Sequence, residues 1–104
     1  MKRKVNLRFY ERDSATEYRT LSLDAHVFET PLAKVVIHRH PDYGGSNWYA
    51  SEYRSGASLG NIVADRTIER TLSNAKSLLD IKSREGILFH RINAFVSKYG
   101  EANN

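Results

Sequence analysis

Cysteine is absent from this chain of 104 residues, and proline, tryptophan and methionine are scarce. Without cysteine there are no disulfides, no thiolate nucleophile and no cysteine-ligated zinc, which fits a reducing compartment. No uncharged segment is long enough to span a bilayer, and the basic start is followed by alternating charge rather than by the apolar stretch of a signal peptide. We therefore expect a cytoplasmic protein that does not enter a membrane.

A strong excess of one charge is also missing from most of the chain. The formal net charge is +4 and the pI is near 9.5, but three of the sixteen cations are Lys2, Arg3 and Lys4. Nucleic-acid binding without sequence preference needs several phosphate contacts made together, so the overall basicity is weak support for it. We expect a single domain over residues 1–104, in which residues 1–4 form a basic arm and residues 101–104 a frayed tail.

Alternation of apolar and polar residues predicts strands in the first half of the chain. The predicted strands, in chain order, cover residues 5–12, 17–23, 33–40 and 47–54, with a fifth through Leu59. Residues 13–16 have the composition of a turn, so the first two strands form a hairpin. Segment 24–32 fits a bulge, a helical turn or more strand, because its pattern favours none of the three.

After Asp65 the apolar period changes to that of a helix. The two apolar stripes are Ile68, Leu72, Ala75 and Leu79, and Leu88, Ile92, Phe95 and Tyr99. Asp65 or Thr67 is the expected N-cap of the first. Because the stripes lie on opposite sides of a continuous helix, residues 67–99 form either one long helix that needs a partner or two helices. Ser83, as a second N-cap, and Gly86 favour two.

The order of elements is five strands followed by two helices. It predicts an α+β fold, with an antiparallel sheet of four to five strands and two C-terminal helices packed on one face. In a general way it resembles the small accessory proteins of bacterial and mobile-element genomes. The face that we expect the helices to cover carries Val5, Leu7, Phe9, Leu21, Leu23, Val35, Ile37 and Trp48.

The other sheet face is the predicted binding surface. Its candidate residues are Arg8, Tyr10, Tyr18, His38, Tyr49 and Tyr53. Tyrosine and arginine are enriched where protein partners dock, and such a surface also stacks unpaired bases at about 1–3 kcal/mol per base. Tyrosine is equally an ordinary strand former, so the surface has either a functional or a purely structural role.

His38 and His40 are the candidate pair for metal binding or acid–base chemistry. On a strand they point to the same side, about 7 Å apart. A catalytic zinc usually has three protein ligands, and the spacing selects no third. The serines lie in no nucleophile elbow, and Gly44-Gly45 precedes a strand rather than opening a helix. We therefore predict no catalytic residue, no metal and no cofactor.

These observations predict a small non-catalytic binding or accessory protein. Its tyrosine-rich sheet face or its C-terminal helix would contact a protein, in the simplest case another copy of itself in a homodimer. One alternative is a single-stranded nucleic-acid binder that uses the tyrosines and arginines of the sheet with the basic arm. A second alternative is a small enzyme that depends on His38 and His40.

Overall fold

The fold is an antiparallel sheet followed by two helices, as seen in a computed structural model that describes residues 2–10, 17–42 and 44–103. The elements are β1 (Lys2–Tyr10), β2 (Tyr18–Glu29), β3 (Lys34–His38), β4 (Tyr49–Glu52), a 3₁₀ helix (Asn61–Val63), α1 (Ile68–Arg84) and α2 (Leu88–Tyr99). Each strand pairs with its neighbour in sequence, in the order β1-β2-β3-β4. The predicted α+β class, with strands before helices, is therefore confirmed.

The predicted fifth strand does not form among the described residues. Leu59 donates its N–H to the Ala50 carbonyl (2.9 Å), and Ser51 forms an isolated bridge with Ser58, but no continuous ladder follows. These contacts cover part of the outer edge of β4, whose peptide groups would otherwise be open to another chain. The predicted count of four to five strands therefore narrows to four.

β2 is longer than the sequence pattern indicates. Segment 24–32 is strand as far as Glu29, so strand is the correct one of the three alternatives. The turn to β3 is closed by Thr30, whose hydroxyl donates to the Ala33 carbonyl (2.5 Å). Pro31 lies in this turn, where its missing N–H costs no ladder hydrogen bond.

The strand register places the apolar residues on two faces rather than on one. Directly opposite residues of an antiparallel pair share a face. The odd-numbered residues of β1 and β2 lie opposite each other, but Val27 of β2 lies opposite Val36 of β3. Val35 and Ile37 therefore point to the other face. The prediction of a single aliphatic face is wrong. The residues on the inner face are odd-numbered in β1 and β2 but even-numbered in β3, so the parity switches between β2 and β3.

Two apolar clusters result from this register. The buried members of the outer cluster, which joins the sheet to both helices, are Val35, Ile37, Ala50, Val63, Ala75, Leu79 and Leu88. The buried members of the inner cluster are Val5, Leu7, Phe9, Ala25 and Val36. Burying each larger apolar side chain contributes roughly 1.5–3 kcal/mol, so both clusters stabilise the fold.

The inner cluster is buried because the sheet curls until β1 meets the segment that follows β4. The N–H of Arg8 donates to the Gly56 carbonyl (2.9 Å) across this junction. Gly56 has a φ of 70°, and a Cβ added to it would lie 2.9 Å from the Cβ of Ala102, so the close approach requires glycine. Leu7 and Val36 are thereby fully buried within the sheet itself.

The C-terminal tail closes the rest of this junction. Oδ1 of Asn103 accepts from the N–H of Asn6, and its Nδ2 donates to the carbonyls of Asn6 and Tyr53, each at 2.8 Å. The N–H of Ala102 donates to the Arg54 carbonyl (2.8 Å). The Asn103 amide thus acts as a substitute peptide group at the edge of β1, and the prediction of a frayed tail is wrong for residues 101–103.

Residues 2–4 belong to β1, so the prediction of a basic arm is wrong for them. They pair with residues 24–26 of β2, and their side chains are exposed. Exposed basic side chains on an edge strand discourage pairing with another chain. Met1, Asn104 and the turn predicted over residues 13–16 lie outside the described residues.

The helical region consists of two helices, one of the two predicted alternatives. α1 begins after Thr67, whose hydroxyl accepts from the N–H of Arg70 (3.1 Å). After α1, Gly86 has a φ of 75°, in the left-handed region that favours glycine. Ser83 was predicted to cap the second helix, but it lies inside α1, and Ile87 is the N-cap residue of α2. No helix in the described ranges has the length and apolar character needed to cross a membrane.

Candidate functional site

The predicted binding surface is divided between the two sheet faces. The candidates on the inner face, together with Val36, are His38 and Tyr49, and Tyr53 packs against the inner cluster. Those on the outer face are Arg8 and Tyr18. The side chain of Tyr10 lies outside the described part of the chain. The sheet therefore does not present these residues on one surface, as the sequence pattern had predicted.

Arg8 fastens the end of α2 to the sheet. Its guanidinium group donates to the carbonyls of Ser55, Tyr99 and Gly100 at 2.6 to 2.9 Å, and it lies 5.7 Å from the centre of the Phe95 ring. The last carbonyls of a helix have no intrahelical partner and carry partial negative charge. The Arg8 side chain supplies these carbonyls with hydrogen-bond donors and with a positive charge, and it is buried. Its contacts are structural.

Two of the large aromatic rings are covered by cations of the chain itself. Arg3 lies 5.1 Å and Lys34 lies 4.5 Å from the centre of the Tyr53 ring. Arg39 lies 3.8 Å from the centre of the Trp48 ring. Because these cation–π contacts occupy ring faces, an unpaired base that stacks there would have to displace a cation.

His38 is buried and has a partner at each ring nitrogen. Nδ1 lies 2.8 Å from the Arg39 carbonyl, which only accepts, so Nδ1 carries the proton; Nε2 accepts from the Ser51 hydroxyl (2.9 Å). His38 is 2% and Ser51 is 1% exposed. Burial lowers the pKa of His38 from 6.5 to about 4, the Arg39 carbonyl opposes this effect and His40 adds to it. The ring is therefore neutral near pH 7.

His40 belongs to a group of rings at the same end of the sheet. Its ring centre lies 5.0 Å from that of Phe9 and 5.6 Å from that of Tyr49, both in edge-to-face geometry. Its Nδ1 accepts from the N–H of Asp42 (3.1 Å). Partial burial lowers the pKa of His40, the Asp42 carboxylate opposes this shift and Arg19 adds to it.

The two histidines are unsuited to act together as metal ligands. Both ring nitrogens of His38 are hydrogen-bonded inside the protein, and Asp42, the nearest carboxylate in sequence, forms an ion pair with Arg19. Within the described ranges there is no group of three His, Cys, Asp or Glu residues that could hold a metal ion. The absence of a metal in the functional protein stays a prediction.

A cleft of about 870 Å³ is lined by residues of the sheet, of the loops beside it and of the two helices. From the sheet and the loops beside it, the lining residues are Arg8, Phe9, Tyr18, His38, His40, Asp42, Tyr49, Glu52, Ser55 and residues 57–61. From the helices they are Leu78, Lys82, Leu88, Arg91, Ile92 and Phe95. We call it the aromatic cleft, after the rings of Phe9, Tyr18, His40, Tyr49 and Phe95. It includes four of the predicted surface residues but not Tyr53.

The helical side of the aromatic cleft was not identified from the sequence. Tyr18 contacts Phe95 and Tyr99 of α2 in edge-to-face geometry, with ring centres 5.0 and 5.1 Å apart. Ile92 and Phe95 belong to the predicted second apolar stripe, and both line the cleft. That stripe was the one available signal, but it does not tell whether the sheet, a partner or an open cleft lies opposite.

The carboxylates that line the cleft already have partners. Asp42 is paired with Arg19. The two oxygens of Glu52 accept from the N–H groups of Arg54 (2.5 Å) and Ser55 (2.9 Å). These bonds hold the turn after β4 in place, so Glu52 is used by the fold. Both carboxylates are therefore held by partners within the protein, Asp42 by a cation and Glu52 by backbone N–H groups.

No family model, curated protein or solved structure matches this chain. Any binding role of the aromatic cleft therefore has to be argued from its own lining. That lining combines rings on the sheet side, rings and aliphatic side chains on the helical side, and a few polar groups.

Proposed function

We propose that this protein is a non-catalytic binding protein and that its ligand is a small molecule with a planar ring, held in the aromatic cleft. The observation that carries the proposal is the arrangement of the rings. Phe9, His40 and Tyr49 line the cleft from the sheet side, and Phe95 lines it from α2. A cytoplasmic location belongs to the same proposal and is supported by the absence of cysteine.

The size and lining of the cleft support a small-molecule site. Such sites typically have volumes of about 300–1,000 Å³, mostly apolar or aromatic walls and a few polar groups that fix orientation. The aromatic cleft, at about 870 Å³, falls within this range. Rings pack favourably against other rings in offset or edge-to-face geometry, so the rings of the lining offer packing surfaces to a planar ligand.

A binding role is favoured over catalysis because the reactive groups near the cleft are engaged in the fold. His38 has both nitrogens occupied and a lowered pKa, which makes it a weak base near neutrality. Ser51, its hydroxyl partner, is 1% exposed and out of reach of a ligand. Glu52 accepts two backbone N–H groups. These contacts support a structural use of each group.

A pair of neighbouring tryptophan substitutions tests the proposal. Asn61 lines the cleft and Ile62 does not, and both side chains are exposed. The probe is N-phenylnaphthylamine, an uncharged aromatic dye whose fluorescence rises in apolar sites. We expect Asn61→Trp to weaken dye binding by about tenfold, which corresponds to about 1.4 kcal/mol, because the indole occupies the cleft. Ile62→Trp should leave the affinity within about twofold of the wild type.

Amide NMR spectra would show whether the dye binds to the natively folded protein and where. Shifts confined to residues of the aromatic cleft support the proposal. Dye that fails to bind the wild-type protein, or binding that is equally strong in both variants, would contradict it. A native spectrum for each variant excludes unfolding as the cause of lost binding.

Protein contact through the helices is a second candidate function, and the exposure of two large apolar residues favours it. Ile81 in α1 is 51% exposed and Phe89 in α2 is 52% exposed, on either side of the turn between the helices. Phe95, which the sequence pattern also offered for this role, is instead packed against Tyr18. We propose a homodimer as the simplest form of this contact. The nucleic-acid alternative has less support, because cations cover the Tyr53 and Trp48 rings.

A further inference from the structure

We infer that the ligand of the aromatic cleft carries an acidic group attached to its ring and that Arg91, assisted by Lys82, recognises this group. The chemical class is an aryl acid, such as an aromatic sulfonate, carboxylate or phosphate. This inference rests on the proposed binding function. It adds the charge of the ligand and the residue that recognises this charge.

The acidic group of the ligand is inferred from Arg91. Arg91 lines the cleft, and within residues 2–10, 17–42 and 44–103 its exposed side chain has no hydrogen-bond or ion-pair partner. The other arginine in the lining, Arg8, donates to three carbonyls. An arginine offers five N–H donors in a planar fork that matches an acidic group.

Lys82 adds a second cation to the same wall. It lines the cleft from α1, and its only ion pair in the described part of the chain is with Glu85, at 3.6 Å. Of the two acidic residues of the lining, Asp42 is ion-paired with Arg19, and both oxygens of the Glu52 carboxylate are directed at backbone N–H groups. Arg91 is therefore the cation of the lining whose side chain has no partner among the described residues.

The spacing of Arg91 and Phe95 along α2 indicates how far the acidic group of the ligand lies from its ring. Arg91 and Phe95 are four residues apart, so they lie on the same side of the helix, roughly 6 Å apart along its axis. Both line the cleft, together with Ile92 between them. A ring packed against Phe95 would thus place a directly attached acidic group within reach of the Arg91 guanidinium. This distance favours a compact aryl acid over a ring with a distant charge.

Two dyes with the same ring skeleton test the inference. Anilinonaphthalenesulfonate carries a sulfonate on the naphthyl ring, and N-phenylnaphthylamine lacks it. We expect the wild-type protein to bind the sulfonate at least fivefold more tightly than the uncharged dye. Arg91→Gln should remove most of this difference by weakening the sulfonate about fivefold, and it should leave the uncharged dye within about twofold. Arg91→Lys, which keeps the charge but not the fork, should fall between them.

Arg66→Gln is the matched control, because Arg66 is an exposed arginine outside the cleft lining. It should change neither affinity. Equal binding of both dyes by the wild-type protein, or the same loss of sulfonate binding in Arg66→Gln as in Arg91→Gln, would overturn the charge inference and leave the proposed binding function standing. If neither dye binds the folded protein, both the inference and the proposed function fail.

Discussion

The residue with the clearest individual role is His38. Its two hydrogen bonds tie β3 to the loop that follows it and to Ser51 of β4, in a place from which water is excluded. A neutral imidazole satisfies one acceptor and one donor there, whereas a protonated one would turn both nitrogens into donors and break the bond from Ser51. Protonation of the buried His38 ring would therefore destabilise the folded protein.

The pH dependence of stability follows from His38. Burial lowers its pKa from 6.5 to about 4 in the folded protein, so between these values the unfolded chain binds a proton that the folded one does not. The free energy of unfolding then falls as the pH falls, by about 1.4 kcal/mol per unit and about 3 kcal/mol in all. The contribution is complete above pH 6.5 and lost below about pH 4.

Urea unfolding of the wild type and of His38→Gln, measured between pH 4 and 8, checks this prediction. Glutamine cannot titrate, so the variant should lose this part of the slope. Carboxylates also titrate at the acid end, and the difference between the two proteins isolates His38. His90→Gln, a change at an exposed histidine of α2, should keep the wild-type slope. Parallel curves for wild type and His38→Gln would show that His38 has no such role.

Among the elements, α2 is attached to the rest of the protein by different contacts at its two ends. Leu88 at its start belongs to the outer cluster, and Arg8 and Tyr18 hold its end. Between these two attachments Arg91 and Ile92 line the aromatic cleft, and Phe89 is exposed. One helix thus offers two surfaces, one to the cleft and one to the exterior.

The outward surface gives a prediction about self-association. If a homodimer forms through the exposed apolar residues of the helices, light scattering should give a mass of twice 11.9 kDa for the wild type. Phe89→Asp should restore the monomer mass, because burying an unpaired carboxylate in an apolar interface is unfavourable. Ile62→Asp is the control, since Ile62 is 82% exposed but lies outside both α-helices. A monomer at every concentration of wild-type protein would rule the dimer out.

At the scale of the whole molecule, the sheet is closed by residues from opposite ends of the sequence. β1 meets the turn after β4, and the tail fills the remaining gap. Closure covers the β1 edge at Asn6 and Arg8, which would otherwise be open to pairing with another chain, and it buries the inner cluster. The stability of the sheet should therefore depend on the tail.

Asn103→Ala should destabilise the protein by about 1–3 kcal/mol, because it removes three hydrogen bonds worth about 1 kcal/mol each, partly in exposed positions. Urea unfolding measures the loss, and hydrogen exchange should show faster exchange at the Asn6 amide. Asn47→Ala, at an exposed loop asparagine, should change stability by less than about 0.5 kcal/mol. Unchanged protection of Asn6 in Asn103→Ala would contradict the closure by the tail.

The local elements could be predicted from the sequence, but their arrangement could not. Alternation identified the hairpin strands, and the helical stripes with Thr67 and Gly86 identified two helices. The aromatic cleft was only partly foreseen: Arg8, Tyr18, His38 and Tyr49 were candidates for a flat surface, whereas Arg91 and Lys82 were not among the predicted binding residues. A charge that lines a cleft and one that faces solvent have the same sequence signature.

The sequence by itself determined that the first half of the chain forms strands and that the part after Asp65 is helical, because periodicity and capping depend on residues close together along the chain. Tertiary structure alone decided which faces meet. The parity switch between β2 and β3, the junction of Arg8 with Gly56 and the burial of His38 all depend on contacts between distant residues. A one-residue change of parity moves a whole strand pattern to the opposite face, and no local pattern carries that information.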